Sequence, residues 1–389
     1  MHRQIEQPVY LNTAAAGLQS PQVVQTIQAH LQLESECGGY VAAEKVQLKL
    51  AQCRESLSRL LNCSPSEIAL TDSASRAWQR ILDCFNFQRD DIVLVSPTIW
   101  GGNYFTLLQL EKRFGIQVQC MPTEADGNLD LDRLKQQIQQ KVRQQPKSRV
   151  RFMELTLAPS GWDAWQATGD IAQLARAHSI PLVVDASQAL GQRELDVNDL
   201  GCDFLFASGR KWLAGPRGTG VLYARQSSTS HLCPLGLDQH TGFLKDDELH
   251  WLPDARRFEL SESSVALRLG LGEAAKQTLS RQQAGESVLL KKLAADYRQL
   301  ISEIPGFELP DLSGEPGAIV TFRHAVHSPV AVRDFLRQHH IEVGIHPRTY
   351  MPLHAPTQRL GDCLRVSPST CTHNATGALR YFLEKLASL

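Results

Sequence analysis

No stretch of this 389-residue chain approaches the roughly 18 consecutive apolar residues that a membrane-spanning helix requires. The first residues, MHRQIEQPVYLNTAAAG, have no apolar signal core. A charge excess is missing too: Lys+Arg 40 against Asp+Glu 41 leaves no basic field of the kind that binds nucleic acid or an anionic lipid surface. The nine cysteines, an odd number, contain no C-x-x-C pair, which excludes a disulfide framework and a zinc knuckle pattern. Set mostly in apolar runs such as ILDCF and LGCDFLF, they read as core filler. No internal repeat or low-complexity tail is present. The expectation is a soluble cytoplasmic enzyme, with a small molecule as partner rather than nucleic acid or membrane.

What is present is an alternation. From residue 65 to 225, EIALT, DIVLVSP, IQVQCMP, RFMELTL and PLVVDAS alternate with helical patterns of ten or more residues, among them SASRAWQRILDCF and NYFTLLQLEKRFG. Short apolar strands alternating with longer helices specify βαβ crossovers, hence an α/β fold whose mainly parallel sheet is covered on both faces. Helices are expected over residues 21–36, opened by the Ser20-Pro21 cap, and over 42–62, with GGYVAAE as the turn between them. A long helical pattern runs from about residue 262 to 303. GAIVTFRH and EVGIHP are strand candidates, IPGFELPDLSGEPGA a loop, and ATGALRYFLEKLA a closing helix. This predicts a large domain over residues 16–260, and a smaller α+β domain built from residues 1–15 and 261–389.

Ligands of such sheets bind beyond the carboxyl ends of the strands. There the sequence places Ser73, Ala74 and Ser75 after IALT, Ser96 and Trp100 after IVLV, Ser160 after MELTL, Asp185 at the end of PLVV, and Lys211 after FLFA. Lys211 follows Asp185 by one strand, in FLFASGRKWLAGPRGTGVLYAR. An amine that forms a Schiff base and a carboxylate that keeps a pyridine nitrogen protonated are what pyridoxal 5'-phosphate requires. Gln188 suits the cofactor's phenolic oxygen, while Ser208, Arg210 and the helix start at Ser73 to Ser75 suit its phosphate. Ser73 reads equally well as a plain helix N-cap.

The segment VVDASQALGQRELDVNDLGCDFLFASGRKWLAGPRGTGVLYAR resembles the active-site segment of class V aminotransferase-fold enzymes, the cysteine desulfurase and C–S lyase group. The similarity extends from YLNTAAAG through RRFELSESS (256–264) to CLRVSPS (363–369). It implies fold type I, pyridoxal phosphate and a homodimer with its active site at the subunit interface. It also implies Lys211 as Schiff-base lysine, Asp185 at the ring nitrogen, Gln188 at the phenolic oxygen and Ser208 in the phosphate cup, with Ser263 among the cofactor-binding residues and Arg365 on the substrate carboxylate.

Four departures narrow the reaction. Trp100 stands where the family often stacks a histidine on the ring; an aromatic face stacks as well but transfers no proton. Arg210 replaces a histidine before the lysine, and Ser160 an asparagine near the cofactor. The loop VGIHPRTYMPLHAPTQRLGD holds no cysteine to act as a persulfide nucleophile. GGYVAAE, SGRKWLAGPRGTGVL and LSESSVALRLGL together resemble lyases that cleave hercynylcysteine sulfoxide in ergothioneine biosynthesis. The resemblance therefore implies a carbon–sulfur β-lyase acting on a cysteine S-conjugate or its sulfoxide, with Lys211 as base. Another class V activity (cysteine or cystine lyase, aminotransferase, epimerase) and a non-catalytic cofactor-binding protein are the alternatives. Tyr40 is either part of a helix-punctuating turn or a hydroxyl facing substrate. His346 and Arg348 are either surface residues or contacts to the substrate's tail.

Overall fold

A computed structural model describes residues 8–124, 128–144, 149–161, 164–165, 168–310, 315–370 and 375–389. Its larger sheet has seven strands, in the spatial order Ile68–Thr71, Gly220–Ala224, Phe204–Ser208, Leu182–Asp185, Val150–Thr156, Ile92–Val95 and Gln117–Cys120. Gly220–Ala224 runs antiparallel to both neighbours, and every other pairing is parallel. Strands such as IVLV and LVVD are apolar without alternation because both faces are covered. On one face Leu57, Leu61, Leu134, Ile138, Ile171 and Leu271 pack down from helices. On the other, Trp78, Ile81, Leu107 and Phe258 meet Phe152, Phe204 and Phe206.

A second sheet of five strands follows the order Val9–Leu11, Ile341–His346, Cys363–Val366, Val320–His324 and Phe307–Glu308. Three helices, Glu286–Ser302, Pro329–Gln338 and Ala375–Leu386, bury Leu290, Tyr297, Ile301, Leu336 and Phe382 against it. Val9–Leu11 lies parallel to Ile341–Val343, so the first described residues close the edge of a sheet built from the last third of the chain.

Several elements differ from expectation. GGYVAAE is not a turn, for Gly39–Lys45 forms a short helix between Pro21–Cys37 and Gln47–Leu61. The pattern over 262–303 divides into Val265–Gln283 and Glu286–Ser302, because Gly285 adopts the left-handed φ of 83° that glycine tolerates. Val265–Gln283 lies against the helices Pro21–Cys37 and Gln47–Leu61. The loop expected at 304–318 contributes Phe307–Glu308 to the small sheet. A hairpin, Gly242–Lys245 with Glu248–Trp251, turns at Asp246 and Asp247, both at positive φ as a tight two-residue hairpin turn demands. Cysteine as core filler holds for Cys53, Cys202 and Cys363, but Cys120 is exposed on the edge strand; Cys371 lies outside the described residues. Burial lifts the thiols of Cys53 and Cys202 to about 12. Among the described residues, no helix is long and apolar enough to cross a membrane.

Candidate active site

The carboxyl ends of the large sheet and the near edge of the small one enclose a cleft of about 670 Å³. The large sheet supplies Ala74, Ser75, Trp100, Thr156, Ser160, Asp185, Gln188, Ser208, Arg210 and Lys211. The small sheet and its loops supply Asn12, Gly344, Tyr350 and Arg365.

Asp185 is buried as the last residue of its strand, where its Oδ1 accepts from the Ser187 N–H at 2.8 Å and its Oδ2 from Asn103 Nδ2 at 3.1 Å. Burial raises its pKa above the ordinary carboxylate range, against the pull of those hydrogen bonds and of Lys211. Lys211 is held three residues beyond the strand Phe204–Ser208, in a turn closed by Ala214 N donating to the Lys211 carbonyl at 2.9 Å. Desolvation, with Arg210 and Arg365 nearby, lowers its ammonium to about 7. Its Nζ lies 6.0 Å from the centre of the Trp100 ring, which leans on Tyr350 with centroids 4.3 Å apart. The Lys211 turn is braced from the amino-terminal side. Gly17 N donates to the Arg210 carbonyl at 2.7 Å, and any Cβ on Gly17 would collide with the Lys211 carbonyl.

Arg365 comes from the strand Cys363–Val366 and is only 4% exposed. Its Nη1 donates to the Ser160 carbonyl at 2.8 Å, while its Nε has no hydrogen-bond partner among the described residues. Burial brings its guanidinium down to about 10, with Arg210 acting in the same sense. Gly344 pairs with Arg365 across the sheet, and a Cβ there would stand 2.6 Å from Asn12 Oδ1 and 3.4 Å from Arg365 Nε. Asn12 Oδ1 is likewise buried without a partner among the described residues. A carboxylate, three cations, an aromatic face and two orphaned polar atoms therefore converge on one cleft. This donor set fits a phosphorylated pyridine carrying an aldehyde together with an amino-acid carboxylate.

The remaining expected residues fall in different places. Gln188 lines the cleft, with one amide N–H given to the Ala14 carbonyl at 3.0 Å and its oxygen accepting from Trp212 Nε1 at 2.9 Å. Ser73 does not line the cleft; its Oγ caps the helix Ala74–Leu82 by accepting from Arg76 N at 3.0 Å. Ser96 turns away from the crevice, toward Glu154. His346 is no surface residue: it is 2% exposed, with Nε2 at 3.0 Å from Ser160 Oγ, and burial holds its imidazole neutral with a pKa of about 3. Arg348 is exposed, its backbone N–H donating to Asp362 at 3.0 Å. Tyr40 is 81% exposed on the helix Gly39–Lys45. Ser263 does not line the cleft of its own chain, and its Oγ is buried without a partner among the described residues. Sequence reasoning assigned no role to Asn12, Asn103, Tyr350 or Glu154. Asn103 had a signal, as the last residue of TIWGGN.

The match to the profile described as "Aminotransferase class-V" covers residues 9–376. The chain belongs to the class V aminotransferase family. Enzymes of this class V family depend on pyridoxal phosphate, the group that the cleft's donor set fits. A probable hercynylcysteine sulfoxide lyase of Mycobacterium tuberculosis is 28% identical over 382 residues, covering 98% of this chain and 90% of that protein. Among solved structures, the cysteine desulfurase of Thermococcus onnurineus superposes with a TM-score of 0.84 at 19% identity, covering 98% of this chain and 94% of that one. The cystine C–S lyase C-DES, in complex with its product cysteine persulfide, superposes with a TM-score of 0.82 at 21% identity over 99% and 98% of the two chains. This class V chain thus has the type I fold of pyridoxal-phosphate enzymes.

Proposed function

We propose that this protein is a pyridoxal-phosphate-dependent carbon–sulfur β-lyase that cleaves a cysteine S-conjugate or its sulfoxide, with hercynylcysteine sulfoxide as the favoured substrate. The observation that carries the reading is a cleft that joins Lys211, Asp185 and Arg365 while no cysteine lines it among the described residues. A desulfurase needs a thiolate there to take up sulfur; a β-lyase does not. The likeness to the mycobacterial protein supports the choice of substrate.

When bound, pyridoxal phosphate supplies an electron sink for the pair released as the Cα–H bond breaks. The chain's own groups do the rest. Arg365 binds the substrate carboxylate through its unpartnered Nε edge, and the missing side chain of Gly344 lets Asn12 and Arg365 keep their places beside it. Lys211, a neutral amine above about pH 7, accepts the Cα proton at Nζ. Asp185 holds a proton at the ring nitrogen, and Ser187 and Asn103 fix its two oxygens in place. Trp100 covers one side of the cleft and offers no proton. His346, neutral and turned to Ser160, offers none either. A sulfoxide sulfur needs no such acid, because it departs as a sulfenate, which an external thiol then reduces. The three-carbon fragment ends as pyruvate and ammonia.

A second copy of the chain completes the cleft in this reading. Tyr40 stands 81% exposed, near exposed Val41 and Leu48 in sequence. It is then offered to the substrate in the partner's cleft.

The test is pyruvate release by the cofactor-loaded protein from hercynylcysteine sulfoxide, cysteine, cystine and an S-alkylcysteine sulfoxide. Preference for the first is expected. Pyruvate from the others alone discards that substrate but keeps the lyase. No pyruvate from any of them overturns the β-lyase reading.

A further inference from the structure

The strand Val150–Thr156 carries a carboxyl that the reaction described above does not use. Glu154 is fully buried, with 0% of its surface exposed. Its Oε2 accepts from the Ser96 N–H at 3.1 Å and from Ser96 Oγ at 2.9 Å, and its Oε1 accepts from Thr156 Oγ1 at 2.8 Å. Parallel register sets Thr156 beside Asp185 and Glu154 beside Val183. Side chains two apart on a strand share a face, so Glu154, Thr156 and Asp185 lie on one face, with Glu154 a step below the rim. Thr156 lines the cleft; Glu154 does not. The titratable group acting on Glu154 is Asp185 on the adjacent strand, and Glu154 in turn acts on Cys120 at the sheet edge. Neither is a cation. Lys211 acts on Asp185.

We propose that Glu154 is a positioning residue for the site, a buried carboxyl that sets how much negative charge Asp185 presents to the cofactor; the proposal rests on the pyridoxal phosphate reading. Two adjacent carboxylates in a desolvated sheet do not both ionise at neutral pH. Burial above all, helped by Asp185, pushes the Glu154 carboxyl up to about 8 against the hydrogen bonds from Thr156 and Ser96. Below that pH Glu154 keeps its proton and Asp185 bears the pair's charge alone. Above it a second negative charge appears on the same face and raises the proton affinity of every group in the cleft.

The test is the pH titration of the visible absorption of pyridoxal phosphate bound to the holoenzyme, in the wild type, Glu154→Gln and Ser96→Ala. Gln keeps the shape and carries no charge at any pH. Its titration is expected to shift to lower pH by about half a unit or more. Ser96→Ala removes one donor to the carboxylate, so Glu154 holds its proton longer and the cofactor titration moves in the same direction as in Glu154→Gln, by less. A coincident titration of Glu154→Gln and wild type, both coloured, overturns the proposal and leaves the cofactor reading intact. A colourless wild type after addition of pyridoxal phosphate overturns both. Infrared spectra give an independent readout. A protonated carboxylic-acid carbonyl band at neutral pH, lost in Glu154→Gln, is expected with or without cofactor, and its absence from the wild type overturns the proposal.

Discussion

Charge and desolvation act at the scale of single residues. Asp185→Ala is expected to keep some cofactor and to lose roughly 10³-fold in pyruvate release, because the electron sink goes uncharged; near-normal turnover refutes the assignment. Lys211 gives a pH prediction with a definite sign. Its folded pKa of about 7 lies below the ordinary 10.5, so between those values the unfolded chain binds more protons and apo-protein stability rises with pH. Urea midpoints at pH 7, 8.5 and 10 are expected to climb in the wild type and to climb less in Lys211→Met. Uptake of pyridoxal phosphate by the apo protein is expected to quicken about tenfold per pH unit below 7, as the neutral amine fraction grows. Lys211 and Asp185 were legible in the sequence because each closes or follows an apolar run, where an α/β sheet gathers its ligands. Glu154 was not, since one acid inside RFMELTL reads as part of a strand, and its burial is set by neighbouring strands whose paired residues, Val183 and Val95, lie well outside the segment. His346 escaped for the same reason: whether a histidine near a strand end is buried depends on what packs above it.

At the scale of elements, Gly344 and Gly285 show two uses of a missing side chain. Gly344→Ala is expected to press Asn12 and Arg365 out of place and to raise KM about 10- to 100-fold with kcat little changed, as for loss of hydrogen bonds to a charged group. A proportional loss of kcat instead shows that the cleft itself has collapsed. Gly285→Ala meets no atom within 4 Å but keeps a φ of 83°, and is expected to cost about 1 kcal/mol of stability without altering KM. Most strands of the large sheet were legible because buried strands are largely apolar; Gln117–Cys120, partly exposed at the edge, was legible from its place in the alternation. Gly39–Lys45 was not, since paired glycines suggest a turn until flanking helices hold the segment in place. Cys363–Val366 carried Arg365 without reading as a strand, because the arginine interrupts its apolar run.

At the scale of the whole molecule, the proposed second copy can be tested by mixing chains. If Tyr40 serves the partner's cleft, inactive Lys211→Ala and impaired Tyr40→Phe chains, unfolded and refolded together, regain about a quarter of wild-type turnover, since half the dimers are mixed and each has one intact cleft. A sum of the separate activities places Tyr40 elsewhere. Val9–Leu11 was placed with the small domain from the sequence, and it finds its strand partner some 330 residues later. That crossing has a consequence during biosynthesis. Residues 9–17 tie the small sheet to the turn that holds Lys211, yet the strand they dock against leaves the ribosome only after most of the chain has been made. The lysine turn therefore acquires its brace late, and a stalled nascent chain that ends before residue 341 has a finished large sheet but no competent place to capture its cofactor.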